Sequence, residues 1–323
     1  METGNLSQPY LDLRAKTKAR DRRLRDKVMS LEAAAALVGD GDHVALGGCT
    51  ASRTPFAMIW ALVRAKRTGL TVSRSIVSTE GDVLFASGVS AHIMTSWFSQ
   101  GIVWGISKVM RHYTESKRAR FEEWSHMSMG LRYRAGAMGL PFMPARSMMG
   151  SDVAARLGDE VRKMTCPYTG EQLVLLPALN PDVALIHVPR CDAYGNAQID
   201  GLQFMDADIA MAANKVILTT ERIISNDQIR RAPDHTKIPF FTVDAVVEVP
   251  YGSAPHECYG LYEPFFGHMD DYAEQTARDP EAGAKDYLER FYYAPESWAD
   301  YLGLIGMDAV LDAARRGRSI TND

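Results

Sequence analysis

Asp40-Gly41-Asp42-His43-Val44-Ala45-Leu46-Gly47-Gly48-Cys49-Thr50-Ala51-Ser52-Arg53-Thr54-Pro55 is the stretch on which the fold turns. His43 to Leu46 is a short apolar run that predicts a buried strand, and Gly47-Gly48 ends it. Thr54 and Pro55 then predict an N-cap and a proline at the first helical position. A strand, a glycine loop and a helix in succession are the unit of an open α/β sheet. In such a sheet the loop leaving a strand's carboxyl end lies in the crevice where ligands bind. Paired glycines there let backbone N–H groups approach an anion or a carbonyl oxygen. The same two glycines also suit a tight βα turn with no ligand.

Downstream, Phe56, Ile59, Trp60 and Val63 recur at helical spacing, and Leu70 to Val77 alternates like a strand. That strand runs into Ser78-Thr79-Glu80-Gly81-Asp82. Glu80 is a carboxylate between small residues at a strand exit, a place that suits a base or nucleophile, although a solvated turn residue fits beside Gly-Asp as well. Upstream, Ser30 is set to cap a helix through Leu31, Ala34, Ala35, Leu37 and Val38, with Gly39 as its stop. Arg14, Lys16, Lys18, Arg20, Arg22, Arg23, Arg25 and Lys27 stand against Asp12, Asp21 and Asp26, and this mixed, mainly basic run predicts a solvated arm or exposed helix.

Farther along, Ser107 to Arg120 turns basic and helical, and Met127, Leu131, Ala135 and Met138 mark one face of a long helix. Ser125 and His126 fall at its N-terminus, where anions are stabilised and a neutral imidazole is well placed to meet a ligand. A capping or packed role is the plain alternative for both. Residues 153–175 read as a charged, loop-rich excursion. Val183 to Val188, Lys215 to Thr220 and Phe240 to Val249 are strand-like, with a helix at Asp206 to Ala213 among them. This alternation predicts an α/β fold, an open mixed or parallel sheet with helices on both faces. The boundaries drawn are a basic arm over 1–29, an α/β domain over 30–270 and an aromatic, helical tail over 271–323.

The chain has 323 residues, 46% hydrophobic and 24% charged, with a net charge of −4. That balance does not suggest nucleic acid as the main partner. Cys49, Cys166, Cys191 and Cys258 lack the spacing of a zinc ribbon or disulfide scaffold, and neither an HExxH nor a P-loop is present, so no metal or nucleoside triphosphate site is expected. No apolar run approaches a membrane span and no signal peptide opens the chain, so a cytoplasmic, membrane-free protein is expected.

The opening stretch resembles the signature of the family I coenzyme A transferases: Asp-Gly, a short strand, Gly-Gly-Phe, three residues, Gly, one residue, Pro. Cys49 stands where Phe is usual and Arg53 where Gly is usual, and Arg53 in that place is similar to glutaconate-type α subunits. Gly139-Leu140-Pro141-Phe142, Asp182 to His187 with Gly195-Asn196, Glu221 to Ser225, Val243 to Val247 and Pro250-Tyr251-Gly252 extend the resemblance over about residues 30 to 265.

The resemblance implies a CoA-transferase α subunit that works with a separately encoded β-type subunit, as α2β2 or larger. Its substrates would be an acyl-CoA and a carboxylic or dicarboxylic acid, with coenzyme A carried as the thioester and no metal. The family's nucleophilic glutamate lies in the β subunit. Catalytic roles on this chain would fall to Glu80 and His126. Gly47 and Gly48 would offer backbone donors, Arg53 would pair with a carboxylate or CoA phosphate, and Gln100 and Ser125 would line the cleft. A related branch hydrolyses a carbon–carbon bond of a cyclic CoA ester with an α-subunit glutamate near the position of His126. A CoA-ester hydrolase or lyase is therefore the alternative, and a non-catalytic ligand sensor the third.

Overall fold

The computed structural model describes Ala15 and residues 19–101 and 103–319. In chain order its strands are β1 (His43–Leu46), β2 (Leu70–Ser73), β3 (Ser90–Thr95), β4 (Arg120–Glu123), β5 (Phe142–Ala145), β6 (Arg162–Thr165) and β7 (Gln172–Pro177). After these come β8 (Val183–Val188), β9 (Arg190–Cys191), β10 (Ala197–Gln198), β11 (Lys215–Thr220), β12 (Thr236–Ile238) and β13 (Ala245–Glu248). Seven of them form a wholly parallel sheet in the order β13-β11-β8-β1-β2-β3-β4. The predicted apolar run of the opening stretch is its central strand, buried at all four positions.

The helices are α1 (Leu31–Ala35), α2 (Phe56–Arg64), α3 (Thr79–Ala86), α4 (Lys108–Glu115), α5 (His126–Ala137), α6 (Asp152–Leu157), α7 (Asp206–Ala212) and α8 (Asn226–Arg231). Four more close the chain: α9 (Phe266–Arg278), α10 (Pro280–Leu288), α11 (Trp298–Ile305) and α12 (Met307–Ser319).

Side chains alternate across the sheet, and each face feeds its own core. Val44, Leu46, Val183, Leu185 and Ile217 pack with α1, α2, α3 and the C-terminal helices. Ala45, Ala184, Ile186, Val216 and Leu218 pack with α5, α7 and the small sheet β5-β7-β6. Helix α2 is buried from Phe56 to Val63 because the C-terminal helices cover its outer side. Trp60 Nε1 donates to the Phe291 carbonyl at 3.2 Å, and Arg64 Nη1 donates to the carbonyls of Tyr292 and Pro295 at 3.1 and 2.6 Å.

Several expectations are corrected. Residues 153–175 are not loop but α6 followed by the antiparallel strands β6 and β7. Phe240 to Val249 is not one strand, since a 3₁₀ turn at Phe240–Thr242 precedes β13. Helix α2 begins at Phe56, one residue later than predicted, and the Thr54 hydroxyl makes no capping bond.

The basic run is not wholly solvated. Arg14, Lys16 and Lys18 lie outside the described residues. Lys27, however, is 2% exposed and donates through Nζ to the Phe240 carbonyl at 2.6 Å. Its backbone joins Val28 and Met29 along the outer edge of β13, with Val246 N–H donating to Lys27 O at 2.9 Å. An otherwise open sheet edge is thereby covered.

Candidate functional site

From β1 the sheet grows through β2 and β3 to β4 on one side and through β8 and β11 to β13 on the other. The switch point lies between β1 and β8, and the crevice for ligands opens above the strands' carboxyl ends there. The loop 47–55 sits at this point, held by two buried ion pairs.

The first joins Arg74, just past β2, to Glu80 in the first turn of α3, and both are fully buried. Arg74 also donates from Nε to Gly47 O at 3.1 Å, from Nη1 to Thr50 O at 3.0 Å and from Nη2 to Ser52 O at 3.3 Å and Thr54 Oγ1 at 2.9 Å. Thr54 Oγ1 in turn meets His256 Nδ1 at 2.7 Å, which is where the predicted cap hydroxyl is spent. Burial, with Arg74 close by, holds His256 well below the usual histidine range. Glu80 is thus neither a turn residue nor a free carboxylate: it neutralises the cation that gathers the loop.

The second pair joins Arg53 to Asp206 at the start of α7, with 1% and 0% of their side chains exposed. Arg53 also donates to the carbonyls of His187 and Leu202 at 3.2 and 2.8 Å. The other Asp206 oxygen accepts the Gly48 N–H at 2.7 Å, while the Gly47 N–H donates to Leu185 O at 2.8 Å. Gly47 and Gly48 therefore do not turn free donors to a ligand, and Arg53 is not an open carboxylate fork, because each is already partnered within the chain. Gly48 is needed for another reason. It lies at φ +68°, and a Cβ there would come 2.1 Å from Ser52 O.

Gln100 also faces inward, not into the cleft. Its Nε2 donates to Asp82 Oδ2 at 3.1 Å, and Asp82 further accepts from Ser107 Oγ and, at 3.1 Å, from Tyr272 OH of α9. Burial pushes the Asp82 carboxyl up to about 7 while these three donors pull it down. Between the unfolded value near 3.8 and this folded value, the folded state binds more protons, so stability falls as pH rises across that window. Asp82→Asn should flatten that slope, which amounts to a difference on the order of 4 kcal/mol between its two ends. Melting temperatures from pH 4.5 to 8 would show it, and parallel curves for the two proteins would refute it.

A third polar hub binds the loop after β13. Glu221 Oε1 meets His187 Nε2 at 2.7 Å and accepts from Tyr262 OH at 2.6 Å and Gly252 N–H at 3.2 Å, and Oε2 accepts from Tyr251 N–H at 2.7 Å. His187, Glu221 and Cys258 bring potential metal-ligand atoms within 4.8 Å of one another. The donors around Glu221 already fill its oxygens, and burial drives the Cys258 thiol well above its usual range, so this set serves the loop better than it would serve a cation.

Ser125 and His126 lie together at the N-terminus of α5, as expected. Ser125 Oγ caps the helix by accepting from Ser128 N–H at 3.0 Å, and it meets Ser147 Oγ at 2.6 Å. His126 is exposed, with Nδ1 3.4 Å from Ser96 Oγ beyond the end of β3. Among the sequence-derived candidates, His126 is the one with an exposed side chain at the crevice. Sequence reasoning missed Arg74, Asp206 and Ser96. Arg74 carried a signal, a basic residue at the end of a run otherwise fit for the interior.

The sequence model of the coenzyme A transferase family matches residues 28–249. The chain is 38% identical over 299 residues to an uncharacterised protein of Archaeoglobus fulgidus, covering 92% of this chain and 66% of that one, so it spans just under two thirds of that relative's length. It is 36% identical over 282 residues to the α subunit of the glutaconate CoA-transferase of Acidaminococcus fermentans, covering 81% and 88%. The crystal structure of that glutaconate CoA-transferase superposes with a TM-score of 0.82 at 31% identity over 89% of this chain and 95% of its own. A cholesterol ring-cleaving hydrolase IpdA subunit of Rhodococcus jostii is 32% identical over 280 residues, covering 80% and 89%. The family match runs from the strand segment at Val28 through all seven strands of the parallel sheet to the end of β13. With its sheet order and switch-point loop accounted for in that span, the chain belongs to the coenzyme A transferase family.

Proposed function

We propose that the chain is the α-type subunit of a heteromeric CoA-transferase and that its partner, a β-type subunit, supplies the nucleophilic glutamate. The observation that carries this is the state of the chain's own carboxylates. Glu80, Asp206 and Glu221 all lie at the crevice end of the sheet, and each is consumed by an arginine, a histidine or backbone donors. Attack on a thioester needs an unpaired carboxylate at the reacting carbon. In the proposed cycle the partner's carboxylate attacks the acyl-CoA carbonyl, the C–S bond breaks, and CoA leaves as thiolate from a mixed anhydride. The thiolate then attacks the glutamyl carbonyl and expels the first acid as its carboxylate. The acceptor acid reverses these steps and leaves with CoA, so coenzyme A is a substrate and no metal is needed. His126 and Ser125 line the α side of the cleft, and the assembly is α2β2 or larger in the cytoplasm. Among the described residues, no helix is long and apolar enough to cross a membrane.

The exposed His126 and the similarity to a ring-cleaving hydrolase subunit favour one second role, hydrolysis of a CoA ester with His126 as base. Co-expression with the neighbouring gene product, followed by assay of an acyl-CoA panel with and without acetate, separates the two. Turnover that requires the acceptor acid supports transfer. Acceptor-independent loss of the CoA ester supports the hydrolase and overturns the transferase.

A further inference from the structure

The ends of β2, β3 and β4 meet beside His126 in a short chain of hydrogen bonds whose direction is fixed. The Ser75 carbonyl, just beyond β2, takes the Ser96 N–H at 3.1 Å, the Thr95 hydroxyl at 3.1 Å and the Ser96 hydroxyl at 2.5 Å. A carbonyl only accepts, so the Ser96 hydroxyl spends its single proton on Ser75 O. Toward His126, Ser96 Oγ is left with lone pairs alone. Its contact with Nδ1, at 3.4 Å, is then a bond in which Nδ1–H donates. A neutral imidazole that carries its proton on Nδ1 has a bare lone pair on Nε2. His126 is exposed, as are its neighbour Met127 and Trp97 next to Ser96, so this acceptor stands in an open, partly apolar mouth.

We infer that Ser96 is a positioning residue that locks His126 in its Nδ1–H form, so that the crevice meets its substrate with a hydrogen-bond acceptor. This rests on the CoA-transferase role proposed above and deepens it by naming a substrate class. An ionised carboxylate brings acceptors only and would face Nε2 lone pair to lone pair. A hydroxyl on the acyl chain donates to it. The site therefore favours hydroxy-substituted acyl groups over unsubstituted or dicarboxylic ones of the same length.

The test has two independent arms. Long-range ¹H–¹⁵N correlation spectra of the ¹⁵N-labelled chain above pH 8, with His126 assigned by its loss in His126→Gln, should show the Nδ1–H form. Ser96→Ala should move the ring toward a mixture of the two forms, and Ser96→Thr should restore it. In the reconstituted complex, kcat/KM for a hydroxyacyl-CoA over its unsubstituted analogue should fall about tenfold in Ser96→Ala, the value of one lost hydrogen bond, and recover in Ser96→Thr. An Nε2–H ring in the wild-type chain, or a substrate ratio indifferent to Ser96, would overturn the inference. A complex that moves no CoA would instead refute the proposed function, with the spectra still deciding the tautomer.

Discussion

Glu80→Ala is expected to destabilise the chain by about 3–5 kcal/mol, the usual loss when one partner of a buried ion pair is removed. Arg74 would keep its charge at zero exposure with nothing to neutralise it. The guanidinium also ties together Gly47 O, Thr50 O and Ser52 O, so the switch-point loop should loosen with it. Glu80→Gln keeps an acceptor for Arg74 and for the Ser78 N–H, which donates to Oε1 at 2.9 Å, and should cost less. Urea unfolding checks both. A chain that keeps its unfolding midpoint as Glu80→Ala but loses turnover in the complex would mean that Glu80 belongs to the chemistry and not to the frame.

Asp206→Ala should cost a similar amount by a different route. It strands the buried Arg53 guanidinium and leaves the Gly48 N–H without its acceptor. Because the two side chains act on one another, Arg53→Met combined with Asp206→Leu should recover part of the loss, since an apolar pair carries no desolvation penalty. Thermal unfolding of the single and double variants measures the coupling. Additive losses would show that Arg53 and Asp206 do not act as a pair, and would reopen Arg53 as a ligand for a carboxylate or phosphate.

These expectations also mark how far the sequence could be read. Periodicity revealed the sheet: His43 to Leu46, Val183 to Val188 and Lys215 to Thr220 fall where their apolar runs predict strands. Local chemistry revealed the start of α5, because Ser125 caps a helix in the way its residue type suggests. The excursion at 153–175 hid its strands, since β6 reads Arg-Lys-Met-Thr and is largely exposed, leaving little apolar alternation to detect.

The site was harder for a physical reason. Whether Arg53 faces a substrate or Asp206 depends on a residue 153 positions away, and Glu80 meets Arg74 only because α3 folds back over the end of β2. A lone charged residue beside glycines looks the same in both cases. Family resemblance placed the loop correctly but could not show that its N–H groups and its arginine were already engaged. His126 was legible because it stands at a helix start that its own neighbours define. Ser96 was not, because the proton it withholds is set by a carbonyl on another strand.

The most direct test of the central claim is to trap the reconstituted complex with borohydride during turnover of an acyl-CoA and to map the product by mass spectrometry. A reduced glutamate in the partner subunit, with none in this chain, is the expected result. A reduced glutamate at Glu80, or turnover that leaves no adduct on either subunit and needs no acceptor acid, would contradict it.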